Sequence, residues 1–193
     1  MQNFILSLIC FLIIVEAISN KIEIDKAETI NLIDVSMNGD KEKIQLLTEI
    51  GVDLNQTDIY GRNALHWASR EGHKEIVELL IEKGIDINQT DSYGYNAFHL
   101  ASEKGNIEIL QLLAKKGMDI TQKNLNGKNA LHLATIGNRQ GVVEFLIEKG
   151  IDVNQTENDG NNALLWASRE GHYKIVVYLL EKGININEKE ETL

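Results

Sequence analysis

The stretch Ile59-Tyr-Gly-Arg-Asn-Ala-Leu-His66 decides the fold, because it does not occur once. It returns as Ser92-Tyr-Gly-Tyr-Asn-Ala-Phe-His99, as Leu125-Asn-Gly-Lys-Asn-Ala-Leu-His132 and as Asn158-Asp-Gly-Asn-Asn-Ala-Leu-Leu165. Gly61, Gly94, Gly127 and Gly160 follow one another at 33 residues. A fixed period of that size marks supersecondary units that bury their apolar faces against copies of themselves. The class of function follows: an extended recognition surface, with no evident place for chemistry.

Working outward from Gly61, the unit 58–90 reads as turn, helix, turn, helix. Gly61 permits a tight turn. Asn63 is a strong N-cap type before the short helical run Ala64-Leu-His-Trp-Ala-Ser69. Gly72 stands where that helix ends in a left-handed residue. A second helix is expected over 74–82, with Ile76, Val77, Leu79 and Leu80 on its buried side, and Gly84 closing it. The units 91–123, 124–156 and 157–189 repeat this grammar, with helix ends at Gly105, Asn138 and Gly171. Asn at 138 is informative, since Asn is the next-best residue for a left-handed cap. The segment 25–57 keeps Gly39, Ile44, Leu46, Leu47, Gly51 and Asn55 but lacks the Gly and the Asn-Ala-Leu-His block. A divergent, polar end unit is what a stack needs at its terminus. Residues 20–24 lead in and 190–193 form a tail.

The pattern Gly-x-Asn-Ala-Leu-His-x-Ala, then Gly-His-x-x-Ile-Val-x-Leu-Leu-x-x-Gly-x-Asp-x-Asn, resembles the ankyrin repeat over about residues 25–189. The resemblance implies an all-α repeat solenoid: helix-turn-helix units joined by short β-hairpin loops, curved around a concave face that binds proteins. One departure is systematic. The family carries Thr-Pro before Leu-His, whereas this chain carries Asn-Ala and has no proline at all. Asn still caps, but the residue that pre-sets the first helical turn is missing, so slightly looser first helices are expected.

The first residues differ from the rest. Phe4 to Val15 is apolar but for one serine and carries no charge. Twelve residues rise ~18 Å as a helix, short of a ~30 Å hydrocarbon core but right for a signal-peptide h-region. Ala17-Ile18-Ser19 supplies small residues for cleavage. Residues 1–19 are therefore read as a signal peptide and the chain as secreted or in the secretory pathway, with no membrane contact after cleavage; the alternative is a cytoplasmic chain. Cys10, the single cysteine, lies in this segment. The net charge of −10 disfavours nucleic acid, whose affinity rests on neutralising phosphates, and disfavours anionic membranes.

His66, His99 and His132 recur at one repeat position. Stacked helices lie ~10 Å apart, whereas zinc needs ligands ~2 Å from one centre, so neighbours in this row cannot share an ion. The family resemblance gives them, with His73 and His172, a structural task between units. Ser69, Ser102 and Ser168 occupy a small-residue face. An enzyme using the groove would need convergent ionisable groups, and none is visible; no catalytic, metal or cofactor residue is assigned. Asn55, Asn88 and Asn154 open Asn-Gln-Thr sequons at one repeat position, acceptors for N-glycosylation if the chain is exported.

In the family, partner contacts come from hairpin tips and the exposed side of the first helix. Carried over by position, the tips give Ile59, Tyr60, Arg62, Tyr93, Tyr95, Leu125 and Lys128, and the helices give Trp67, Arg70, Leu100, Leu133, Trp166 and Arg169. The set holds both tryptophans and three of the five tyrosines, and Trp, Tyr and Arg are the types enriched at binding hot spots. Alanine at Trp67 is expected to cut affinity for a protein partner and leave stability nearly unchanged. In the last unit Val177-Tyr178 replaces the Glu78-Leu79 pair. Apolar surface left exposed there would favour self-association, or a partner, at the C-terminal repeat.

Overall fold

The computed structural model describes residues 31–186. Among the described residues ten helices fall into five pairs: α1 (Leu32–Asn38) and α2 (Lys41–Glu49), α3 (Ala64–Glu71) and α4 (Lys74–Glu82), α5 (Ala97–Lys104) and α6 (Ile107–Lys115), α7 (Ala130–Ile136) and α8 (Gln140–Glu148), α9 (Ala163–Arg169) and α10 (Tyr173–Glu181). First helices pack on first helices in one row and second helices on second helices in another. The signal-peptide reading of 1–19 lies outside the described residues.

Small residues let the first row close up. Ala64, Ala97, Ala130 and Ala163, with Ala68, Ala101, Ala134 and Ala167, are all fully or almost fully buried. Larger side chains fill the space between rows: Leu65, Phe98 and Leu131 from the first helices, Ile76, Leu80, Ile109, Leu113, Leu146 and Ile175 from the second. Leu79 and Leu112, expected in the core, pack half-buried at its edge, and Leu180 is 46 % exposed. Asn138 is the one described non-glycine residue with positive φ, at 56°, as its alignment with Gly72, Gly105 and Gly171 requires.

The Asn-Ala substitution has a structural answer. Asn63, Asn96, Asn129 and Asn162 each cap a first helix, the side-chain oxygen accepting the backbone N–H three residues on. The amide nitrogen then reaches the next loop: Asn63 donates to Gln89 at 2.7 Å, Asn96 to Gln122 at 2.8 Å and Asn129 to Gln155 at 2.8 Å. A threonine hydroxyl is one atom shorter and carries one proton; it caps but has no second arm. The expected looseness is therefore opposed by a half-buried bond that ties each first helix to the following loop.

The loops between pairs are tight turns, and no strand forms among the described residues. Each turn closes on itself through two backbone bonds, such as Asp58 N–H to Arg62 O and Gly61 N–H to Asp58 O. A single backbone bond then joins neighbouring tips: Ser92 to Tyr60 at 2.8 Å, Leu125 to Tyr93 at 3.1 Å, Asn158 to Asn126 at 3.1 Å. One bond per junction aligns the tips but is too few for the β-hairpins that the resemblance implied. Gly94 shows why glycine stands in the turn: φ is +79°, and a Cβ would lie 2.8 Å from the Leu125 nitrogen.

Candidate functional site

Three of the four tips are fixed by one acidic or amide residue that composition alone does not single out. The Asp58 carboxylate accepts from the Tyr60 and Arg62 N–H groups at 2.8 and 3.0 Å. Asp91 does the same for Tyr93 and Tyr95, and Asn124 for Asn126 and Lys128. These local bonds hold the turn open side outward. The side chains at the summit are thereby left in solvent: Ile59 is 89 % exposed, Leu125 69 %, Tyr93 52 % and Tyr60 46 %. Four large apolar side chains stand in a row on a backbone that hydrogen bonds have already fixed.

The same acidic residues also anchor the groove wall. Trp67 donates its indole N–H to Asp58 at 3.0 Å, and its ring lies between the Arg62 and Arg70 guanidinium groups at 5.5 and 5.3 Å. Arg62 also bonds Asp91 of the next unit at 3.0 Å. The arrangement recurs three units on. Trp166 donates to Glu157 at 3.1 Å and sits between Lys128 at 4.2 Å and Arg169 at 5.4 Å. Here the first cation comes from the preceding unit, and it too pairs with the buried carboxylate, Lys128 with Glu157 at 3.4 Å. Between the two clusters lies a neutral one. Tyr95 meets the His99 ring edge-on at 5.9 Å, and burial holds its phenol above the usual tyrosine range.

Two of the expected contact residues leave the set. Leu100 and Leu133 occupy the tryptophan position in the middle units but are only 2 % and 4 % exposed. They lie within the groove wall, below the level that the longer indoles reach, and offer a partner no area. Both tryptophans are themselves half-buried, held by a hydrogen bond and two cations, so they belong partly to the scaffold. Ile59 and Leu125 are the most exposed large apolar side chains of the tip row. The residues that sequence reasoning passed over are Asp58, Asp91, Asn124 and Glu157. Their signal was present, an Asp, Asn or Glu three residues before each turn glycine.

The histidines have other work. His66 Nε2 faces the Tyr95 carbonyl at 3.1 Å and His99 Nε2 the Gln122 carbonyl at 2.9 Å. A carbonyl only accepts, so the proton is on Nε2, and Nδ1 accepts the backbone N–H of the capping asparagine. Burial pushes all three imidazoles below their usual value, to about 4 for His99 and His132. His73 and His172 donate to the Met37 and Ile136 carbonyls at the end of the preceding first helix. Asn106 and Arg139 likewise donate to carbonyls at the end of the preceding unit's first helix, Asn106 to Ser69 and Arg70 and Arg139 to Glu103. Three residue types thus satisfy one recurring need, the orphan carbonyls of a helix C-terminus. Among the described residues no group of three or more His, Cys, Asp or Glu is placed to hold a metal ion, and no helix is long and apolar enough to cross a membrane.

Residues 32–124 and again 121–190 match a family model described as ankyrin repeats (3 copies). The chain belongs to the ankyrin repeat family. That fold serves as a protein–protein interaction module, and the family is generally non-catalytic. No curated protein matches the chain. Asn55, Asn88 and Asn154, the sequon residues, are all exposed; the Asn55 and Asn154 side-chain oxygens accept from Asp86 and Asn185 in the next loop.

Proposed function

We infer that this chain is an exported ankyrin-repeat protein that binds a protein partner along its tip row and first-helix groove, acting without catalysis as an effector or inhibitor of that partner. The observation that carries the reading is the row Ile59, Tyr60, Tyr93 and Leu125, flanked by the Trp67 and Trp166 cation clusters. Apolar side chains on a pre-fixed backbone lose little conformational freedom when a partner covers them. Buried carboxylates already neutralise Arg62 and Lys128, so the surface asks for an apolar and aromatic counterpart more than for an acidic one.

Export is supported by the apolar run Phe4–Val15 followed by Ala17-Ile18-Ser19, and by sequon asparagines that stand exposed. The test is expression in a eukaryotic host with mass analysis of the product. Release into the medium, loss of residues 1–19 and a mass shift on deglycosylation support the reading. Retained Met1 with unmodified Asn88 points instead to an intracellular adaptor. Binding is tested by capture with the mature chain beside a Tyr60→Ala/Tyr93→Ala chain. A protein held by both to the same extent contradicts the assignment of the tip row.

A further inference from the structure

The last repeat differs from the others on the side of α10 that faces away from the stack. In interior repeats the first residue of the second helix touches the following repeat. Lys74 lies 3.3 Å from Glu108, and the Ile107 methyl sits 3.1 Å from where a Cβ on residue 141 would lie, a position held by Gly141. In α10 that residue is Tyr173, 75 % exposed. The next turns carry Val177, where α4, α6 and α8 have Glu78, Gln111 and Glu144, and Leu180, whose counterparts Ile81, Ala114 and Ile147 are half-buried. Positions 173, 177 and 180 form one helical stripe. At the opposite end of the stack the open side of α2 carries Glu42, Leu46 and Glu49, at the helix positions that receive the preceding repeat elsewhere, as Glu108 receives Lys74. Head-to-tail addition would therefore set an apolar stripe against a largely acidic one.

We propose that the Tyr173–Val177–Leu180 stripe joins two copies of this chain tail to tail, with their α10 helices antiparallel about a two-fold axis. The charges beside the stripe select this partner. Lys174 and Glu181 are both exposed and lie seven residues apart, on the same flank. In an antiparallel isologous pair each flank faces its own reversed copy. Lys174 then meets the partner's Glu181, and Glu181 the partner's Lys174. Three apolar side chains and two ion pairs fall at the small end of specific interfaces, so monomer and dimer exchange.

Sedimentation equilibrium of the full chain from about 5 to 500 μM tests this. Wild type should pass from monomer to dimer across that range. Lys174→Glu alone and Glu181→Lys alone should each raise the Kd at least about tenfold by setting like charges opposite one another. The double swap should restore association, because an isologous contact exchanges both partners of both pairs. Val177→Glu should leave only monomer, and the charge variants carry the test if that chain fails to fold. A strict monomer throughout overturns the proposal, whether residues 187–193 or another protein covers the stripe. A dimer indifferent to Val177→Glu and to both single swaps overturns it as well.

Discussion

Three residues separate the tip row from the seam of capping asparagines, Tyr60 from Asn63 and Tyr93 from Asn96, and the two obey opposite rules. The seam repeats without variation: Asn63, Asn96 and Asn129 are buried, cap a helix and bond a glutamine in the next loop. The tips share a backbone but vary in side chain, reading Ile59-Tyr60, Ser92-Tyr93, Leu125-Asn126 and Asn158-Asp159, with only the tyrosine of the first two in common. Stacking constrains the seam because each asparagine must fit two neighbours at once. The tips need only their carboxylate or amide anchor and one bond to the next tip, which frees their side chains to answer to something outside the chain.

The largest separation between the two regions should come from acid. His99 and His132 lie beside the seam with pKa values lowered to about 4 by burial, against about 6.5 unfolded. The unfolded chain therefore binds more protons across that interval, and stability falls as pH falls from about 6.5 toward 4. The slope is at most about 1.4 kcal/mol per pH unit for each fully offset histidine. Asp40 and Asp119, lowered by their hydrogen bonds, act only below about pH 4 and do not confuse the window. Urea unfolding at pH 7 and 4.5 should show this loss, and His99→Gln should shrink it. A flat profile would mean that the histidines are not held neutral.

Next comes the seam itself. Asn96→Ala removes a helix cap, about 1 kcal/mol, and leaves the half-buried Gln122 without its partner, about 1–2 kcal/mol more. The unfolding free energy read from a urea titration should fall by about 2–3 kcal/mol. Asn96→Thr should recover the cap but not the glutamine bond, and so fall between; a threonine chain as stable as wild type would remove the second arm from the account. A smaller effect is expected at Trp67, where the structure revises the first expectation. The half-buried indole bonds Asp58 and lies between two cations, so Trp67→Ala should cost about 1 kcal/mol of stability in addition to affinity. An unchanged midpoint would return it to the purely exposed set. The smallest change in stability belongs to the tips. Tyr60→Ala and Tyr93→Ala should stay within about 0.5 kcal/mol of wild type.

The stack was legible because its signals are local and repeated: a turn glycine, a capping asparagine and a left-handed residue at each first-helix end, down to Asn138 standing in for glycine at φ 56°. The site was only partly legible because its geometry depends on residues a full unit away. That Leu100 and Leu133 sink below the surface, while Trp67 and Trp166 reach it, is a matter of depth in the groove, which periodicity does not carry. The Arg62–Asp91 and Lys128–Glu157 pairs link position five of one unit to position one of the next, a register that exists only once the units are stacked. Likewise His73, Asn106, Arg139 and His172 look unrelated in sequence and share one task in space.

The central claim, that the seam builds and the tips bind, is tested most directly on one variant. The affinity of a captured partner for the Tyr60→Ala/Tyr93→Ala chain should be compared with that for wild type, with urea midpoints measured alongside. The midpoint should be unchanged and binding at least about thirtyfold weaker, as loss of ~2 kcal/mol at a hot spot implies. Equal affinity with equal stability would contradict it.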